Sequence, residues 1–142
     1  MNDERVPEKC KYFQIKCYRG RYAGPNDIKD FKGIIHVPYA WSNLALFEML
    51  ALGMPYFIPS IQLLTQEKNI FWTPPYDLSR LVQSEWYDPE MSHLFVYFDR
   101  WEDLPGLISS VNLTEKKLLI STYGKSHEES TVKQWKSLIY RL

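Results

Sequence analysis

The chain has 142 residues, which suits one domain, and 45% hydrophobic against 24% charged residues excludes a disordered chain. Lys+Arg and Asp+Glu number 17 each, so there is no positive excess of the kind that displaces counterions from nucleic-acid phosphates, and no nucleic-acid partner is expected. No apolar run approaches the ~18 residues of a membrane span, and the polar start MNDERVPEK has no apolar core of a secretory signal. Cys10 and Cys17 fit neither a zinc site nor a disulfide framework, so a reducing compartment, the cytoplasm, is the expected location.

In chain order, residues 1–10 read as a polar lead-in and Tyr12–Tyr18 as a short β-prone run. Arg19–Pro25 is a glycine- and proline-bearing loop, and Asn26–Phe31 a short helical turn. Gly33–Tyr39 (GIIHVPY) is apolar at both alternating positions, as in a strand buried on both faces of a parallel sheet, with Pro38 near its end. Ser42 then stands at an N-cap position, and Asn43–Leu52 reads as a helix stopped by Gly53. Pro55–Ile58 is a second buried strand, followed by a helix over Ile61–Lys68. Residues 69–92, rich in Pro, Trp and Tyr, form a long loop or helical excursion, and Leu94–Phe98 is a third buried strand. Capping boxes at Asp99/Glu102, Asn112/Glu115 and Ser126/Glu129 start three further helices, the last two separated by Gly124. In the last, Val132, Trp135 and Ile139 share a face. Strands alternating with helices imply a parallel α/β sheet, whose ligands bind beyond the carboxyl ends of the strands.

The segment Gly33–Ser60 concentrates the chemistry. Its helix carries one charge, Glu48, among apolar residues. A carboxylate on a buried helix is costly unless hydrogen-bonded or near an edge. Glu48 therefore either lies on a narrow solvent stripe, pairs with a Lys or Arg, or faces a cleft and accepts hydrogen bonds from two vicinal hydroxyls such as those of a ribose. The backbone amides of Ser42, Asn43 and Leu44 would meet an anion at the positive end of the helix dipole. A diphosphate there and a ribose one turn further along make one nucleotide.

The run Ser42–Asn43–Leu44, Phe47–Glu48, Gly53 and Pro55 resembles the nucleotide-sugar-binding C-terminal domain of GT-B glycosyltransferases. Many retaining members have a strand leading to a helix that ends in LEAMACGTPVV, where the Glu holds the ribose and the start of the helix holds the diphosphate. LFEMLALGMPYFIPS keeps that Glu, the Gly and the Pro. The resemblance implies half of a GT-B fold: a Rossmann-like, three-layer parallel sheet with helices on both faces. It implies that residues 1–142 form one donor-binding domain without the N-terminal acceptor domain. A partner chain would then supply the acceptor side, and the domain would otherwise only bind, self-associate, or be an inactive remnant. The retaining pattern has a second Glu eight positions before the first; this chain has Ala40 there. No residue is assigned as catalytic, and no metal or cofactor is expected.

Arg21, with Arg19 and Tyr22 in the preceding loop, is a candidate to hold a phosphate or stack on a base, or else is solvated. Tyr39 and Trp41 are candidate walls of the nucleotide site, and equally good core residues. The substrate-binding set is thus Arg21, Tyr39, Ser42, Asn43, Leu44 and Glu48. His36 reads as a core histidine, and His93 and His127 have no metal-ligand spacing with it. The aromatic stretch from Trp72 to Trp86 is expected to form part of an open apolar wall facing the missing half.

Overall fold

The strand Tyr56–Pro59 (β2) is buried along its whole length, because it is hydrogen-bonded on both edges and covered on both faces. In the computed structural model, which describes residues 5–18, 23–38, 43–67 and 81–140, it lies between Ile34–Ile35 (β1) and Val96–Phe98 (β3). Both pairings are parallel, with Ile34 opposite Tyr56 and Phe57 opposite Val96. Pro59 has no donor to give, and stands at the end of the strand, where Ser60 continues the ladder by donating to the Phe98 carbonyl at 2.9 Å.

The pleat sends Tyr56 and Ile58 to one face and Phe57 to the other. On the first face they meet Leu46, Met49 and Leu50 of helix α2 (Leu44–Ala51) and Ile120 of the C-terminal helix. On the second, Phe57 meets Leu63 of α3 (Ile61–Gln66) and Leu104 of α4 (Leu104–Ser110). The described residues thus form a small α/β domain, a three-stranded parallel sheet flanked by helices in a generic Rossmann-like arrangement.

Helix α2 ends as its sequence directs. Gly53 adopts φ +69°, Met54 N–H donates to Met49 O (2.9 Å) and Gly53 N–H to Leu50 O (2.9 Å), the paired bonds of a Schellman cap. Its N-cap is Asn43, one residue later than the expected Ser42: Asn43 is extended and its side chain accepts the Ala45 N–H at 3.0 Å. Asn and Ser cap about equally well, so adjacency in sequence left the choice to tertiary packing.

Four expectations are corrected. Arg5–Tyr12 is a helix (α1), not a polar lead-in. Val6 and Phe13 pack on the second face and Cys10 is buried, so three apolar groups at 3–4 spacing suffice to dock it. The run after it is no strand: Gln14 turns at φ +56°, Ile15 N–H donates back to Cys10 O (2.8 Å), and residues 15–18 have no regular secondary structure. The Asp99/Glu102 capping box is absent: Trp101–Asp103 forms a 3-10 turn without a side-chain cap, because buried Trp101 fixes that turn to the core.

The fourth concerns the C-terminus, where Leu113–Ile139 is one unbroken helix (α5). Asn112 caps it, accepting the Glu115 N–H at 3.2 Å and donating to the Glu115 carboxylate at 3.2 Å. The expected Ser126/Glu129 box lies inside the helix, and Gly124 is not a break. Gly124 is buried at the crossing with α2, where an added Cβ would stand 2.8 Å from the backbone of Leu50 and Ala51. Gly53 serves the same crossing, its missing Cβ 2.7 Å from the Lys117 carbonyl.

Candidate functional site

The chain leaves β1 through His36, Val37 and buried Pro38, and resumes its described course at Asn43, at the head of α2. The carboxyl end of β2 gives Ser60, whose hydroxyl accepts the Leu63 N–H at 3.2 Å and caps α3. The end of β3 gives exposed Asp99 and Arg100, with Arg100 3.6 Å from Asp103. That exposed pair is worth little energetically.

Of the substrate-binding set, the described residues include Asn43, Leu44 and Glu48; Arg21, Tyr39 and Ser42 lie outside them, as do Arg19, Tyr22, Ala40, Trp41 and Trp72. Asn43 caps α2 and Leu44 is its first residue. Glu48 stands four residues further on and is exposed, although its helix neighbours Leu46, Met49 and Leu50 are fully buried. It shares the outward stripe with exposed Ala51 and Leu52. Among the described residues it makes no ion pair and no side-chain hydrogen bond, so its four acceptor positions are open to a ligand or to water. The alternative in which Glu48 serves a structural Lys or Arg therefore has no support among them.

Two features of this edge escaped the sequence. Tyr87 donates from its hydroxyl to the Pro59 carbonyl at 2.7 Å, tying the segment before β3 to the end of β2. Burial, with neighbouring Tyr97 adding to it, pushes the Tyr87 phenol far above its ordinary range, so it stays a neutral donor. Tyr97 is likewise raised, to about 12, by burial and then by Asp88; it donates to the Trp86 carbonyl at 2.8 Å. On the opposite face of the sheet Glu67 accepts the Trp101 indole N–H at 3.0 Å, and Lys9 lies 5.7 Å from the centre of that ring. Long sequence separation hid both contacts: Tyr87 and Pro59 are 28 residues apart, Trp101 and Glu67 34.

Trp86 is 1% exposed, which overturns its assignment to an open wall. It packs between His36, with ring centroids 4.1 Å apart, and Phe95 at 6.0 Å. A tryptophan in a loop-like stretch reads as surface, but here 3-10 turns carry it back under the sheet. His36 is partly buried, its ring against those of Trp86 and Tyr56. Burial lowers its pKa from 6.5 to about 4, so it is neutral near pH 7.

That shift has a consequence for stability. The unfolded chain takes up the His36 proton near 6.5, whereas the folded chain resists it until about 4. The group's stabilising contribution is complete above the unfolded value and is lost as pH falls from about 6.5 to about 4. The loss should amount to about 3 kcal/mol over the whole window, at about 1.36 kcal/mol per pK unit. Urea unfolding between those limits should show a steeper acid loss for the natural chain than for His36→Phe. Parallel pH slopes for the two would contradict it.

His93 and His127 do not approach His36. His127 stacks on Phe47 (4.8 Å) and on Tyr123 (6.0 Å), and His93 meets the edge of Tyr123 (6.0 Å). No cluster of metal-ligating groups occurs among the described residues, and no helix among them is long and apolar enough to cross a membrane. The class these features define is a parallel α/β domain whose α2 helix has a capped N-terminus and one exposed carboxylate. No protein-family model, no curated protein and no solved structure matches the chain.

Proposed function

We propose that the chain is the donor-binding domain of a GT-B-type glycosyltransferase and takes a nucleotide-diphosphate sugar at the head of α2. One observation carries the reading: the lone carboxylate of an otherwise apolar helix is exposed and without a protein partner among the described residues, about one turn beyond a capped N-terminus. In this reading the diphosphate lies at the start of α2, where the helix dipole and first-turn amides favour an anion. The Asn43 side chain already takes the Ala45 N–H, and the Asn43 carbonyl the Leu46 N–H. The Leu44 amide is then the α2 donor left to the diphosphate, with Ser42 and Arg21 as its companions from the flanking segments. Glu48 accepts both ribose hydroxyls, and Tyr39 walls the nucleotide. Glycosyl transfer would need a partner acceptor domain to complete the cleft; helix-dipole stabilisation of the departing diphosphate would assist it without metal.

Glu48→Gln tests this assignment. The variant should fold with the stability of the natural chain, because Glu48 is exposed. It should bind a nucleoside diphosphate more weakly by about 1–3 kcal/mol, the cost of replacing a charged acceptor of two hydroxyls. Calorimetric titration of both proteins measures it; unchanged affinity would remove Glu48 from the site.

A further inference from the structure

The second half of α5 projects from the body of the domain. The helix has 27 residues, about 40 Å at 1.5 Å per residue. From Lys125 to Tyr140 every residue but Thr131 is exposed. Yet this segment carries a stripe of large apolar groups, with Val132 45%, Trp135 63% and Ile139 62% exposed. Their 3–4 spacing gives one continuous face, and Leu138, 55% exposed, borders it. Such a face is costly in water unless covered.

The charges identify what covers it. Glu128 and Glu129 stand one turn before Val132, and Lys133 and Lys136 follow it. Two parallel copies would set glutamate against glutamate and lysine against lysine. Two antiparallel copies with Val132 at the two-fold axis set Glu128 of one opposite Lys136 of the other, twice by symmetry. Trp135 of each then covers the turn before the other's Val132. The pattern is self-complementary in that one orientation, as an isologous interface requires. A membrane surface would instead favour a run of lysines without the glutamates.

We propose that the Lys125–Ile139 half of α5 is a homodimer interface, two copies of the chain pairing antiparallel about Val132. This rests on α5 alone and is independent of the nucleotide site. A pair of helices this short buries less than about 1,200 Å², the low end of specific interfaces, so the dimer should be reversible, with a dissociation constant on the order of micromolar.

Sedimentation equilibrium of the full chain across micromolar concentrations tests the proposal. The natural chain should pass from monomer to dimer. Trp135→Glu should raise the dissociation constant about tenfold or more, since a central tryptophan is the expected hot spot. Circular dichroism should show the helix content of the variant unchanged, because the residue is exposed. A second pair of variants separates pairing from folding: Glu128→Lys with Glu129→Lys, and Lys133→Glu with Lys136→Glu. Each should be monomeric alone, and an equimolar mixture should dimerise. A natural chain that stays monomeric at 100-fold the micromolar range overturns the proposal, whether or not it binds anionic vesicles. So does a dimer indifferent to Trp135→Glu and to both charge reversals.

Discussion

Replacing Trp86 by alanine should destabilise the domain by about 3–5 kcal/mol, the range for truncating a buried aromatic. The indole is almost wholly buried and touches three rings: His36 at 4.1 Å, Tyr56 at 5.5 Å and Phe95 at 6.0 Å. These neighbours come from different segments, so the gap cannot close by one side chain swinging in. The Tyr97 hydroxyl bonds the Trp86 backbone carbonyl and should survive the substitution, which isolates the packing loss. A second effect should accompany the first. Water entering the gap reaches the His36 ring, so its pKa should climb from about 4 toward the ordinary 6.5. Urea unfolding measures the stability and a pH titration by NMR the histidine. A loss below about 1 kcal/mol with His36 unmoved would mean that the indole is not a core group.

Gly124→Val should be comparably damaging for the opposite reason. A Cβ at Gly124 would lie 2.8 Å from Ala51 N and Leu50 C, which are backbone and cannot rotate away. Helix α2 must shift, and overpacking of this kind costs about 1–3 kcal/mol, with the β-branched methyls adding more. Gly124→Ala should be milder, because alanine recovers about 1 kcal/mol of helix propensity. Gly106 provides the control: it is exposed in α4 with nothing within 4 Å of an added Cβ, so Gly106→Ala should stabilise. Because Asn43 caps α2 and Glu48 lies on it, the proposed nucleotide site predicts that the Gly124→Val shift also weakens nucleoside diphosphate binding. Thermal denaturation of the three variants compares them directly; a neutral Gly124→Val would show that the helices are not in backbone contact.

The parts of this fold that sequence displays are those decided locally. β2 is legible because an apolar run without alternation, between Gly53 and Pro59, has few alternatives to a strand covered on both faces. The end of α2 is legible because only glycine takes φ +69° without strain. Gly124 has the same local signature and the opposite meaning. Its role is set by Leu50 and Ala51, more than seventy residues earlier, and no window around it contains them. Helix α1 is hidden for a related reason: its apolar side is only three groups, Val6, Cys10 and Phe13, the first and last in a cluster with Leu63 of α3 and Leu104 of α4, while its other residues read as a polar lead. In the candidate site, the oddity of one carboxylate on an apolar helix was visible, and its exposure beside Ala51 and Leu52 is the narrow solvent stripe that the sequence already allowed. What the sequence could not choose was whether Ser42 or Asn43 caps α2, since both side chains satisfy the same amides. The Tyr87–Pro59 tie was invisible, because nothing near either residue distinguishes it.

The most direct test of the nucleotide reading is calorimetric titration of the chain with uridine, guanosine and adenosine diphosphates beside the corresponding nucleosides. A site built from the head of α2 and Glu48 draws much of its affinity from the diphosphate, so at least one diphosphate should bind more tightly than its nucleoside. The advantage should shrink with rising salt, as screening weakens the helix-terminus attraction. Equal affinity for diphosphate and nucleoside, or binding of neither across the panel, would contradict the account.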